Sequence, residues 1–355
     1  MNKEVRIEVL LEEVIKRRAS DLHIQVNLPP MLRIDGHLMA VPGYEALDET
    51  QAESLIMAVL DDTQKQILQK DKEFDFSFAF GTLGRFRVNA FYERGNLAAA
   101  LRLIPNEIKS VAELQLPPVV STFADFPRGL VVVTGPTGSG KSTTLAALID
   151  KINSERSHHI VTIEDPIEFT YVSKKSVIAQ REVHYDTYSF SAALRSSLRQ
   201  DPDVVLIGEM RDLETISAAI TIAETGHLVL ATLHTNSAAQ SIDRMIDVFP
   251  PHQQSQVRTQ LANILMGICS QRLVPAIGGG RVVAAEIMTI TPAVRNIIRE
   301  GKTHQLNAVI QTGAEDGMQS MDRVLVNMVQ TGVITYDTAR EFCVDLTELE
   351  RLLRS

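Results

Sequence analysis

Residues 135–142 read GPTGSGKS, and this stretch decides how the chain folds. It satisfies the pattern G-x-x-x-x-G-K-[ST]. It follows the apolar run Leu130, Val131, Val132, Val133 and leads into a segment of helical spacing from Thr143 to Ile152. Strand, glycine loop and helix in that order form the setting in which this pattern acts as a phosphate loop. Gly135, Gly138 and Gly140, with Pro136, Thr137 and Ser139 between them, would let the backbone curl its N–H groups toward a phosphate chain. The start of the next helix adds its positive dipole end. Lys141 would reach the β- and γ-phosphates, Ser142 would offer a hydroxyl to Mg²⁺, and Thr143 continues the loop into the helix. The chain is therefore expected to bind a nucleoside triphosphate.

Outward from the loop, elements alternate. Strands are expected at 130–134, 160–164, 203–208 and 228–232, with helices at 142–153, 189–199 and 212–224. Such alternation implies a parallel sheet with crossovers. A hairpin turning at Gly278-Gly279-Gly280 and helices from about 292 follow.

Upstream, residues 1–104 read as a small α+β domain. Ile7, Leu10, Leu11, Val14 and Ile15 form a helical stripe, and Leu22, Ile24 and Val26 form a strand. Asp35-Gly36 suits a hairpin turn. Asp48 with Gln51 opens a helix through Val59. Phe74, Phe76, Phe78 and Phe80 share one strand face, and Phe86, Val88 and Ala90 share a face of the next. Arg85, Arg87 and Asn89 then lie on the side away from the core. The expected division is 1–104, a linker at 105–118 with proline at both ends, an ATPase core at 119–290, and a helical tail at 291–355.

Composition narrows the classes. The length of 355 residues exceeds what one core usually holds, about 250–300 residues. A net charge of −9 and the absence of Trp argue against a dedicated nucleic-acid surface. No leader pattern and no apolar run near ~20 residues is read, which predicts a cytosolic chain. Cys269 and Cys343 are far apart and predict buried free thiols, with no zinc module.

Acidic groups recur at strand ends. Glu209 follows the strand 203–208, where it can orient an attacking water or hold Mg²⁺ through water. Glu164, with Asp165 and Glu168 nearby, ends the strand 160–164 and is a second candidate for Mg²⁺, against the alternative of a solvated loop. His227 and His234 bracket the strand 228–232. Each is a candidate sensor of the γ-phosphate or a satisfied core histidine. Arg85, Arg87 and Arg102 are either a solvated face or arginines that act on a neighbouring subunit's phosphates.

Longer motifs carry a family resemblance. ASDLH at 19–23, GRFRVNAF at 84–91, IEDPIE at 163–168, LIGEMRDLET at 206–215 and TGHLVLATLHTNSA at 225–238 resemble motifs of the secretion ATPase superfamily. AVRNIIRE at 293–300 resembles the AIRNLIRE motif of its type IV pilus retraction ATPases, with Val294 and Ile297 as apolar replacements. The resemblance covers essentially the whole chain. It implies an α/β chain: a RecA-like P-loop ATPase domain preceded by a PAS-like domain, with a helical carboxy-terminal tail. It also implies a homohexamer that hydrolyses ATP with Mg²⁺ at the cytoplasmic face of the inner membrane, at the pilus base. Its partner would be the membrane-embedded pilus platform protein, and it would power pilus disassembly and twitching motility. Pilus-assembly and type II secretion ATPases usually add an amino-terminal domain and a four-cysteine module, neither of which is read here. A RecA-like nucleic-acid translocase is the rival of another class. On the 293–300 helix, Thr291 and Pro292 suit the start and Gly301 the end. Val294, Ile297 and Ile298 are expected to pack on the core while Arg295, Asn296, Arg299 and Glu300 face another subunit or a partner.

Overall fold

The computed structural model describes residues 5–34, 36–81, 83–104 and 107–354. These divide into two compact units, Met1–Glu107 and Ile108–Ser355.

The first unit holds α1 (Ile7–Lys16), β1 (Asp21–Ile24), β2 (Met31–Ile34), β3 (His37–Ala40), α2 (Glu49–Met57), α3 (Asp62–Asp71), β4 (Glu73–Phe80), β5 (Gly84–Glu93) and β6 (Asn96–Ile104). Its described strands form one antiparallel sheet in the order β3-β2-β1-β6-β5-β4. The β2–β3 hairpin pairs Ile34 with His37 across two residues. Gly36 has φ 85°, a left-handed conformation, while Asp35 lies outside the described residues. Asp48 and Gln51 cap α2 reciprocally, as the sequence predicts. An equivalent pair, Asp61 and Gln64, opens α3, which the sequence reading does not anticipate. Leu10, Leu11 and Val14 of α1 pack with Phe76, Phe86 and Val88 in this unit's core. Each such burial contributes roughly 1.5–3 kcal/mol before chain entropy is counted.

The second unit runs α4 (Pro118–Thr122), β7 (Gly129–Thr134), α5 (Lys141–Glu155), β8 (His159–Glu164), β9 (Val177–Glu182), α6 (Phe190–Ser197), β10 (Val204–Ile207), α7 (Leu213–Glu224) and β11 (Leu228–Leu233). It continues with α8 (Ala238–Asp247), α9 (Pro251–Ile264), β12 (Leu265–Pro275), β13 (Arg281–Thr289), α10 (Pro292–Glu300), α11 (Leu306–Thr312), α12 (Met321–Gln330), α13 (Tyr336–Phe342) and α14 (Leu346–Arg354). The strands form a mixed sheet in the order β13-β12-β7-β11-β10-β8-β9. All neighbours pair in parallel except β13 on β12. Its central strands are buried on both faces, one under α6 to α10 and the other under α4 and α5. The continuous apolar runs in β7, β10 and β11 are what a doubly covered parallel sheet requires. Of the stretch read as a linker, Pro105 and Asn106 lie outside the described residues. Val111 and Leu116 are buried beside Leu145 and Leu148 of α5.

Two local expectations change. Cys269 is buried on β12, but Cys343 is only half-buried, just past α13. On α10, Val294 and Ile298 are buried as expected, with Thr291 capping the helix and Gly301 ending it in a left-handed conformation. Arg295, however, does not face outward. It donates to the carbonyls of Ala262 at 2.6 Å and Asn263 at 3.0 Å, capping the last turn of α9. Helix ends leave such carbonyls without intrahelical partners, and a cation there is doubly favoured. Arg295→Ala should therefore lower stability by about 1–3 kcal/mol, read as a lower urea midpoint. An unchanged midpoint would show that the cap contributes nothing.

Candidate active site

The phosphate loop leaves the buried strand β7 and enters α5. Gly135, Gly138 and Gly140 have φ of 145°, 77° and 89°, values that L side chains rarely adopt. At Gly135 a Cβ would also come within 2.3 Å of the Gln271 carbonyl oxygen on β12. Gly140 occupies the N-cap of α5 without any side-chain cap, so the first-turn N–H groups are left to the loop. Pro136, Thr137 and Gly138 are exposed, Ser142 and Thr143 half-buried. The Ser139 hydroxyl is buried without a hydrogen-bond partner among the described residues. Lys141 is 8% exposed and folds over the loop, with Nζ donating to the carbonyls of Gly135 at 2.8 Å and Pro136 at 3.1 Å. Burial lowers its pKa, and the nearby Glu209 and Glu168 partly oppose that.

Because β7, β11, β10 and β8 are adjacent and parallel, their carboxyl ends form a row with steps of about 4.8 Å. Gly135, His234 and Glu209 follow the ends of β7, β11 and β10, and Glu164 is the last residue of β8. Ligands of open α/β sheets bind along such an edge. Glu209 Oε2 pairs with Arg211 at 2.7 Å and Oε1 with His234 Nε2 at 3.1 Å. Burial pushes the Glu209 carboxyl up, but the bond and charge of Arg211 and the charge of His234 outweigh it. The net shift is below the ordinary carboxylate value. Glu164 is the opposite case. It is buried and accepts from Thr162 Oγ1 at 2.7 Å and from the Glu168 N–H at 3.4 Å. Burial dominates there and raises its pKa to about 7. Asp165 and Glu168 are exposed.

Backbone latches hold the row. Thr232 Oγ1 donates to the Gly208 carbonyl at 2.5 Å, and the Met210 N–H donates to the Thr232 carbonyl at 3.0 Å. Thr134 Oγ1 donates to the Thr235 carbonyl at 2.6 Å and accepts from the Thr235 N–H at 3.1 Å. The turn after His234 is thus fastened to the strand that feeds the phosphate loop. Thr144 of α5 pairs with Gln271 on β12 at 2.8 Å.

His227 is not brought to this row. It precedes β11 while His234 follows it, so the two lie roughly 20 Å apart at about 3.3 Å per residue. Its Nδ1 lies 3.0 Å from Thr225 Oγ1 and 3.0 Å from the Ile222 carbonyl, at the end of α7, which makes it a satisfied structural histidine. Arg85, Arg87 and Arg102 belong to the first unit. Arg85 donates to Ser77 Oγ at 2.6 Å and Arg102 to Asp21 at 2.8 Å. Sequence reasoning missed Arg211 and Gln271. Arg211 sits two residues past the strand-end glutamate, within reach of it. Gln271 lies 127 positions along the chain from its partner Thr144 and carries no local signal.

A family model described as type II/IV secretion system protein matches residues 2–278. The chain belongs to this family and is an ATPase. Among its relatives is the type IV pilus retraction ATPase PilT of Pseudomonas aeruginosa PAO1. The two are 51% identical over 335 residues, covering 94% of this chain and 97% of the other. The twitching motility protein of Neisseria gonorrhoeae is 50% identical over 315 residues, covering 88% of this chain and 83% of that one. A crystal structure of the pilus retraction motor PilT with bound ADP superposes with a TM-score of 0.92 at 47% identity. It covers 98% of this chain and 99% of that one. Among the described residues no helix is long and apolar enough to cross a membrane.

Proposed function

We propose that this chain is the ATP-hydrolysing motor of type IV pilus retraction. In this reading the first unit is PAS-like, the second RecA-like, and six copies form a ring. The ring works at the cytoplasmic face of the inner membrane, held there by the pilus platform protein. Stepwise closure and opening would turn that platform and return pilin subunits to the membrane. The observation that carries the hydrolytic part is the row of Lys141, His234 and Glu209 along parallel strand ends. Identity of 51% to a retraction ATPase over nearly the whole chain supports the pilus part.

Lys141 already donates to two loop carbonyls, and phosphate oxygens would offer its ammonium stronger, charged acceptors. Glu209, held ionised by Arg211 and His234, is poised to orient the attacking water and take its proton. His234 shares that carboxylate and has its side chain 41% exposed, so it can meet the γ-phosphate and report its loss to the latched turn. The Ser142 hydroxyl with the Glu209 and Glu164 carboxylates is an all-oxygen set. Such a set suits Mg²⁺, which keeps several waters and needs only one or two carboxylates beside the phosphates. Mg²⁺ when bound would neutralise charge on the β- and γ-phosphates.

Arg87 is assigned to act on the neighbour's nucleotide. Arg87→Ala protein should bind ATP yet hydrolyse it about 10³-fold more slowly, the lower end of what such arginines supply. Mixing it with Lys141→Ala protein should restore activity, since some interfaces then pair an intact loop with an intact arginine. No recovery in verified mixed rings would refute action between subunits.

A further inference from the structure

One face of the first unit's sheet carries charged residues in register. Strand pairing sets Arg33, Asp21, Arg102, Arg87 and Ser77 side by side on β2, β1, β6, β5 and β4. Arg87 and Arg102 are direct cross-strand partners. Like charges so placed, with Cβ atoms about 4.5–5.5 Å apart, repel one another. Asp21 lies on the far side of Arg102, and its Oδ1 accepts from Arg102 Nε at 2.8 Å. The Asp21 side chain is 8% exposed, whereas that of Arg102 is 69% exposed. Its Oδ2 accepts from Ser20 Oγ at 2.7 Å, with Arg33 Nε 3.9 Å away. The carboxylate is thus fixed from three directions and grips Arg102 by Nε alone. That grip fixes one edge of the guanidinium and leaves its two terminal nitrogens out of the bond to Asp21, on a side chain that is largely exposed. Arg87, its neighbour, makes no hydrogen bond or ion pair among the described residues. Three arginines with one carboxylate leave a surplus positive charge, and Arg102 and Arg87 present it as one oriented fork and one unpaired fork. Planar forks of this kind match the oxygens of a phosphate.

We infer that Asp21 is a positioning residue, which orients Arg102 so that it and Arg87 together grip a nucleotide phosphate. This rests on the reading that Arg87 acts on a neighbour's ATP and extends it to Arg102. An ion pair with so exposed a partner adds little to folding, so its effect on turnover is separable from its effect on stability.

The test compares steady-state turnover and fluorescent-ATP binding of the full-length protein as Asp21→Asn, Arg102→Ala and the double variant. Asp21→Asn should lower kcat between about 10- and 100-fold with nucleotide affinity unchanged, the scale of a misplaced catalytic group. The double variant should be no slower than Arg102→Ala. A double variant slowed by the product of the two single losses overturns the proposal, because Asp21 then acts independently of Arg102. Asp21→Asn at full speed beside a slow Arg102→Ala also overturns it. Arg102→Ala at full speed removes the underlying reading for Arg102, and the proposal with it. If Asp21→Asn fails to fold, Ser20→Ala loosens the same carboxylate. Its smaller loss in kcat should vanish in the Arg102→Ala background, and a loss that persists there refutes the idea.

Discussion

Lys141→Ala protein is expected to fold normally and to release phosphate from ATP at least about 10²–10³-fold more slowly than the parent, the scale of losing one preorganised charge donor. Lys141 is 8% exposed and its ammonium sits against two loop carbonyls, in a setting that lowers its pKa. Electrostatic interactions gain strength where water is excluded, so the charge that faces the phosphates from this position is not replaced by solvent. Truncation removes one donor from the buried Gly135 carbonyl and the exposed Pro136 residue, and the strand and helix on either side remain packed. Thermal melting should therefore move little while turnover collapses. Turnover above a tenth of the parent rate would remove Lys141 from its assigned role.

Glu209→Gln should separate binding from chemistry. The amide keeps the shape of the carboxylate and can still bond His234 and Arg211, but it cannot take a proton from water. Nucleotide affinity should stay within a few-fold while single-turnover hydrolysis falls about 10²–10⁴-fold, the range for losing a general base. Hydrolysis at the parent rate would transfer the base role elsewhere along the row, with Glu164 as the next carboxylate.

The legible parts of this chain are those whose signal is local. A glycine loop between an apolar strand and a helix, acids at strand ends, and the Asp48–Gln51 capping pair were all readable from adjacent residues. β9 was missed because it is an edge strand. Val177 at its start is 65% exposed, and the strand lacks the continuous apolar run of its neighbours. α3 was missed although Asp61 and Gln64 spell the same cap as α2, because only Gln64 and Leu68 of its residues are buried. The two histidines look equivalent in sequence, since both flank one strand. Only the direction of that strand in a parallel sheet sends His234 to the phosphate edge and His227 to the opposite one. Arg295 was misassigned because helical periodicity tells which residues avoid the core, not which neighbouring helix end they reach.

One buried carboxylate bears on how this protein can be shortened. Glu286 on β13 is 6% exposed, and burial raises its pKa. It accepts the N–H of Ala238 at 2.8 Å, where α8 begins just beyond the His234 turn, and the backbone of Met321, where α12 begins, favours its charged form. Asp322, the next residue, accepts the N–H groups of Val344 at 2.7 Å and Asp345 at 3.0 Å, just ahead of the last helix. The tail is therefore not a trimmable extension. Cutting the chain before residue 320 would remove the Met321 backbone from beside Glu286 and uncover the apolar side of the β12–β13 hairpin that faces Leu325 and Leu349. A truncated fragment would carry that damage directly beneath the His234 turn, so it is a poor stand-in for the isolated ATPase.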